Sequence, residues 1–218
     1  MAKFFNPDDL GDKRLHMPAS TSHRAFLKDV YIKHMPEHGT LVEIASGTGE
    51  HAVHIAASLK PLKWQPTDID ESHIDSIDAW RQHLATEAST DDINILPAKR
   101  IDILEGLSDQ INQEDITAVC ATNLIHIAPF TVAKALIANA GSTLSTDGIL
   151  ILYGPYKQGG KHTSPSNDEF DKSLKASNPE WRVRDMETII DLAQINGFEA
   201  KEIIPMPANN FSLVFRKT

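Results

Sequence analysis

At 218 residues the chain has the length of one domain whose core needs no disulfide or metal staple. Its 21 basic and 30 acidic side chains leave a formal charge of −9, which argues against non-specific attraction to nucleic acid or to an anionic membrane. The single cysteine, Cys120, excludes an internal disulfide, no apolar run approaches the ~18 residues of a membrane span, and no signal-peptide stretch is present, so a reducing, cytoplasmic setting is expected.

Residues 1–19 are polar and irregular. Over 20–35, Phe26, Leu27, Val30 and Tyr31 fall on one helical face with Ser20 or Ser22 as N-cap, which predicts a helix ahead of the first strand. His16, His23 and Arg24 of this leading segment, 1–37, either close over a ligand or stay solvated. The run Leu41-Val-Glu-Ile then reads as a buried strand, breaks at Gly47 and Gly49, and resumes as a helix through Val53, Ile55, Ala56 and Leu59. Strand, glycine turn and helix open a βαβ nucleotide-binding unit, and Gly47-x-Gly49-x-x-Ala52 fits its fingerprint. Asp68 stands 19 residues beyond Gly49, at the end of a second strand over 62–67, where a carboxylate can take both hydroxyls of a ribose. A tight turn that binds nothing is the plain alternative.

Four carboxylates, Glu43, Glu50, Asp68 and Asp70, cluster around this turn in the sequence. If at least two face the pocket, they repel a pyrophosphate and suit a ligand with an ammonium and a sulfonium, which S-adenosylmethionine carries.

Further along, Asp70 or Ser72 caps a helix with Ile74, Ile77, Trp80 and Leu84 inward, and 87–92 is a loop. A short strand near 98–102 precedes a fourth at 116–121, apolar enough to be buried on both faces, with Cys120 inside it. A helix over 129–144 and a strand over 149–153 follow. The polar, Gly159-Gly160-containing stretch 156–169 reads as a lid, a binding loop or a disordered segment. Helices are expected over 170–176 and 184–196, the latter with Gly197 past its end, and strands over 198–204 and 211–216 form an antiparallel hairpin. The alternation demands one domain, 1–218, with a mostly parallel sheet and helices on both faces.

The chain resembles the class I S-adenosylmethionine-dependent methyltransferases over about 38–217, a doubly wound, seven-stranded α/β sheet with an antiparallel last strand. In detail it is similar to the family of domain of unknown function 938, also called methyltransferase-like protein 26. The residues that carry this are Glu43-Ile-Ala-Ser-Gly-Thr-Gly-Glu-His51, Trp64-Gln-Pro-Thr-Asp-Ile-Asp70, Gly154-Pro-Tyr-Lys157, Ser166-Asn-Asp-Glu-Phe-Asp171, Asn178-Pro-Glu-Trp181 and Met206-Pro-Ala-Asn-Asn-Phe-Ser-Leu-Val-Phe215. The resemblance implies S-adenosylmethionine as cofactor and S-adenosylhomocysteine as product. It implies that Glu43 faces the methionine end, that the turn of Ser46, Gly47, Thr48 and Gly49 passes beneath the cofactor, and that Asp68 holds the ribose with Ile69 on the adenine face. Asp102 and Ile103 would meet the adenine edge, and Asn123 would sit below the methionine. Ala45 departs from the pattern, standing where these proteins commonly have glycine.

In such a sheet the ligand lies beyond the carboxyl ends of the parallel strands. That rule selects His126 as first candidate for a catalytic base, with Tyr153 behind it, unless the histidine is simply packed. It selects Tyr156, Asn209 and Asn210 as candidate substrate contacts, the two asparagines serving otherwise as turn residues. No metal is expected: His51 and His54 share a helix, but no H-E-x-x-H or C-x-x-C accompanies them. The expected reaction is methyl transfer to a small molecule, with no nucleic-acid or membrane partner. An NAD-dependent oxidoreductase and a non-catalytic S-adenosyl-ligand scaffold are the alternatives, and the sequence carries no sign of oligomeric state.

Overall fold

The computed structural model describes residues 7–18, 23–87, 93–111 and 115–218. Its elements are α1 (Arg24–His34), β1 (Thr40–Glu43), α2 (Glu50–Ile55), β2 (Lys63–Asp68), α3 (Glu71–Glu87), β3 (Lys99–Arg100) and β4 (Ile116–Thr122). They continue with α4 (Phe130–Thr143), β5 (Ile149–Gln158), α5 (Pro165–Ser177), α6 (Met186–Ile195), β6 (Phe198–Met206) and β7 (Asn210–Lys217). The expected start of the first helix at 20–22 and most of the loop 87–92 lie outside the described residues.

The strands run in the order β6-β7-β5-β4-β1-β2-β3. β1 pairs in parallel with β2 and with β4, and β4 in parallel with β5. β7 is antiparallel to both β5 and β6, so the reversed strand sits one place in from the edge. Two short strands, Lys161–His162 and Arg184–Asp185, add to the far end of β5, so the sheet has nine strands among the described residues rather than seven. Asp8–Asp9 and Leu15–His16 form a separate two-stranded ribbon.

Side-chain alternation divides the core in two. Val42, Val119, Ala121, Leu150 and Leu152 face α4 and α6, whereas Leu41, Ala118, Cys120, Ile151 and Tyr153 face α1 and α2. All ten are at most 3% exposed, and each large apolar member stabilises the fold by roughly 1.5–3 kcal/mol relative to leaving it exposed. Burial on both sides explains the unbroken apolar spelling of β4 and β5.

The expected lid over 156–169 is a correction. β5 runs on to Gln158, turns at Gly159 and Gly160, both at positive φ, and returns through Lys161–His162. Ser164 then caps α5 by accepting the Asn167 N–H at 3.2 Å, and Pro165 follows at its first turn. Proline there costs no hydrogen bond, so the helix begins five residues before the apolar pattern showed it.

Candidate functional site

The turn between β1 and α2 holds three residues at positive φ: Ala45 at 57°, Gly47 at 57° and Gly49 at 88°. Gly49 is required doubly, because a Cβ there would stand 2.9 Å from Ile77 Cγ1 and 3.1 Å from its Cα in α3. Two ties dock the turn on β2: Ser46 N–H donates to the Thr67 carbonyl at 2.8 Å, and Thr67 N–H donates to Ser46 Oγ at 3.1 Å.

Asp68 ends β2 and fastens the turn further. Its Oδ2 accepts the Gly47 N–H at 2.8 Å, and its Oδ1 accepts those of Ile69 and Asp70 at 2.8 and 3.0 Å. His73 Nδ1 lies 3.3 Å from Oδ1, and the carboxylate raises the pKa of that imidazole. Asp68 is therefore 5% exposed, with both oxygens already holding backbone donors.

The other carboxylates turn away. Glu50 accepts from Thr48 Oγ1 at 2.9 Å and from Met17 N–H at 2.6 Å, and His16 Nδ1 lies 2.6 Å from it. These contacts bind the leading segment to the start of α2, and Leu15 N–H adds a bond to Ser76 Oγ in α3. Glu43, 1% exposed, accepts the Trp64 indole N–H at 3.0 Å, and burial pushes its pKa up to about 7.

At the carboxyl ends of the parallel strands lies a cleft of about 490 Å³. Ser46, Gly47 and Thr48 form one wall, with Thr122 at the end of β4 and Asn123 and His126 just beyond it as its floor. Ser166, Asn167 and Phe170 of α5 and Ala208 and Asn210 of the β6–β7 turn form the opposite wall, and Met17 and His23 come from the leading segment. None of Glu43, Glu50, Asp68 and Asp70 lines it, so the charge argument for a cationic ligand loses its premise. The cause is Met17, His16 and Trp64, which claim two of those carboxylates from elsewhere in the chain.

His126 is 1% exposed on the cleft floor, and among the described residues neither ring nitrogen has a hydrogen-bond partner. Burial, with Arg184 nearby, lowers its pKa to about 3, so the imidazole is neutral. It meets Tyr156 edge-on, with ring centres 5.1 Å apart. Gly154 makes room for it, since a Cβ there would collide with Nε2. Asn123, at φ 59°, sits beside it and anchors its N–H on the Tyr153 carbonyl at 2.8 Å.

Several sequence candidates lie off the cleft wall. Tyr153 stacks on His23 with centres 4.9 Å apart, its hydroxyl accepts from Asn210 Nδ2 at 2.9 Å, and burial raises its pKa to about 12. Tyr156 is fully buried in the core, which raises its hydroxyl pKa further still, because β5 continues past Pro155. Asn209 is exposed at φ 58° and offers its carbonyl to Asn167 Nδ2 at 2.9 Å, a turn role, whereas Asn210 lines the cleft. Asp102 caps the short turn Ile103–Glu105 by accepting Leu104 N–H at 2.9 Å, and Ile103 packs in the core. Ile69, 51% exposed, is free to cover a flat ligand.

Sequence reasoning missed Thr122, Asn167 and Phe170 as residues lining the cleft. Ser164-Pro165 was the available signal for the last two, since it starts the helix that carries them. Among the described residues no group of three His, Cys, Asp or Glu side chains is placed to hold a metal ion. His51 instead approaches His23, with their Nε2 atoms 3.2 Å apart.

The strand order, with its reversed strand between β5 and β6 and its glycine turn after β1, defines the fold of the class I S-adenosylmethionine-dependent methyltransferases. Residues 14–217 match the family described as Protein of unknown function (DUF938), and the chain belongs to that family. Among solved structures it is similar to the mitomycin 7-O-methyltransferase MmcR (TM-score 0.72, 13% identity, 93% of this chain and 55% of that one). It is also similar to an O-methyltransferase family protein from Burkholderia thailandensis (0.73, 12%, 92% and 56%). A third is CalO1, a methyltransferase in calicheamicin biosynthesis solved with SAH bound (0.69, 11%, 92% and 54%). At these identities the likeness establishes the fold, and the chain spans about half the length of the structures it matches.

Proposed function

We propose that the protein transfers the methyl group of S-adenosylmethionine to a small molecule and releases S-adenosylhomocysteine. The observation that carries this is the cleft itself: the Ser46–Thr48 turn faces Asn123 and His126 across it, at the strand ends where a doubly wound sheet binds its ligand. The residues fit the cofactor. Gly47 lines the cleft, and a Cβ on it would meet nothing within 4 Å, so the backbone is open to close approach. The three solved relatives are methyltransferases by name, and one holds SAH, which supports the same reading.

In this reading Asp68, which lies behind the cleft lining, holds the turn through the Gly47 N–H and takes the ribose with the lone pairs that its backbone donors leave, Ile69 covers the adenine, and Asp102 with the Ile103 backbone meets the adenine edge. Gly47 gives the cofactor its wall, with Gly49 behind it against Ile77, and Asn123 lies under the methionine moiety. Glu43 acts from behind, holding Trp64 instead of meeting the ligand. The bound sulfonium supplies an activated methyl group. The chain aligns the acceptor with it, and orientation alone can contribute on the order of 7–11 kcal/mol. His126, kept neutral by burial, accepts the acceptor's hydrogen bond, and its low pKa makes it a positioning group first and a weak base second.

Calorimetric titration with S-adenosylhomocysteine, with NAD⁺ as control, tests the proposal. Micromolar binding of the first and none of the second is expected. Binding of NAD⁺ alone would make this a dinucleotide site, and binding of neither would end the cofactor reading.

A further inference from the structure

The protein carries a formal charge of −9, yet no Asp, Glu, Lys or Arg is among the described residues that line the cleft. On the wall opposite the glycine turn, the polar groups have fixed orientations. Asn167 Nδ2 donates to the Asn209 carbonyl at 2.9 Å and to Thr163 Oγ1 at 3.1 Å. Asn210 Nδ2 donates to Tyr153 Oη at 2.9 Å and to the Pro207 carbonyl at 3.2 Å. Because a carbonyl cannot donate, both amides are held one way round, and each keeps its Oδ1 as an acceptor on a cleft residue. His126 adds an imidazole with no partner among the described residues, and Phe170 and Ile127 supply apolar surface. Thr122 and Ser166 add hydroxyls, and of the other histidines lining the cleft, His23, His51 and His73, the last has its charge matched by Asp68 at 3.3 Å.

We infer that the methyl acceptor is an uncharged molecule with an apolar, ring-sized body and a hydroxyl hydrogen-bond donor, selected by Asn167, Asn210 and His126. An anion or an ammonium entering this wall loses water and finds no opposite charge, whereas a neutral hydroxyl finds acceptors. The inference rests on the methyl-transfer reading above. In transfer, the O–CH₃ bond forms as the S–CH₃ bond breaks and the sulfur leaves as a neutral thioether. The bond formed makes the hydroxyl proton strongly acidic, so that even the weakly basic His126 imidazole that accepts its hydrogen bond can take it and release it to water.

Four probes share one body: 2-naphthol, 2-methoxynaphthalene, 2-naphthoate and 2-naphthylmethylammonium. Each is titrated at pH 7 into the full chain saturated with S-adenosylhomocysteine. 2-Naphthol is expected to bind at least tenfold tighter than the other three, about one hydrogen bond's worth over the methyl ether. Either charged probe, or the ether, binding as tightly as 2-naphthol overturns the inference, and so does binding of none. If S-adenosylhomocysteine itself does not bind, the cofactor reading fails separately, and the same four titrations on the unliganded protein decide the preference. A second arm uses Ala208→Asp, which places a carboxylate on the wall at φ 57°, a conformation aspartate tolerates better than alanine. With the melting midpoint unchanged, the ammonium probe should gain at least tenfold. No gain means that acceptors do not sit against this wall.

Discussion

One carboxylate, Asp68, accepts three backbone N–H groups, and one of them, on Gly47, belongs to the turn that the proposed cofactor must cross. Removing it therefore loosens the turn and, on the proposed reading, removes the ribose partner as well. Asp68→Ala should weaken S-adenosylhomocysteine binding at least tenfold, the loss of one or two charge-assisted bonds of roughly 1.5–3 kcal/mol each. Calorimetry on the folded variant measures this, and an unchanged affinity would put the ribose elsewhere. Asp68 was legible in the sequence because its distance from Gly49 is set by one βα unit. Glu50 was not. What turns it from the cleft is Met17 N–H, 33 residues earlier, and no local pattern encodes such a contact.

The strand–turn–helix unit shows how two glycines in one motif carry different loads. Gly49 is pressed against Ile77 of α3, whereas Gly47 has open space over the cleft. Gly49→Ala should thus lower stability by roughly 2–5 kcal/mol in urea denaturation, from overpacking added to left-handed strain. Gly47→Ala should cost only the strain, about 1–2 kcal/mol, but should weaken S-adenosylhomocysteine binding more than Gly49→Ala does when both are folded. Equal effects on binding would mean that the ligand does not approach Gly47. At this scale the buried strands were readable from their apolar runs. The stretch 156–169 was misread because the end of β5 leaves the core and spells itself in Lys157 and Gln158, which are half-buried and exposed, while Tyr156 remains inside.

For the whole molecule, the groups that the fold buries set how stability follows pH, and two sets act in opposite directions. His51 and His126 have pKa values lowered to about 3 by burial, so the folded state keeps them neutral while the unfolded chain protonates them below about 6.5. Their contribution is present above 6.5 and is lost as pH falls. Glu43, raised to about 7, is protonated when folded and ionised when unfolded above about 4.5, so its contribution is present below 4.5 and is lost as pH rises to 7. Between 4.5 and 6.5 the unfolded chain binds about two extra protons through these two histidines, burial lowers His23, His34 and His54 in the same direction, and the folded chain binds about one through Glu43. Stability should therefore rise with pH at about 1.4 kcal/mol per unit or more, then level near 6.5 and decline slightly toward 7. His73, raised by Asp68, adds to that decline. Glu43→Gln keeps an acceptor for the Trp64 indole and removes the opposing proton. Urea denaturation at pH 5, 6, 7 and 8 should show its slope on the acid side steeper by about 1.4 kcal/mol per unit. Between pH 5 and 7 the variant should gain on the parent by about 2.8 kcal/mol, 2 units at about 1.4 each. Parallel profiles for the two proteins would mean that Glu43 is ionised in the fold. The Glu43–Trp64 contact behind the glycine turn would then be an ion–dipole contact held against burial, and the turn's base would lose stability in acid instead of gaining it.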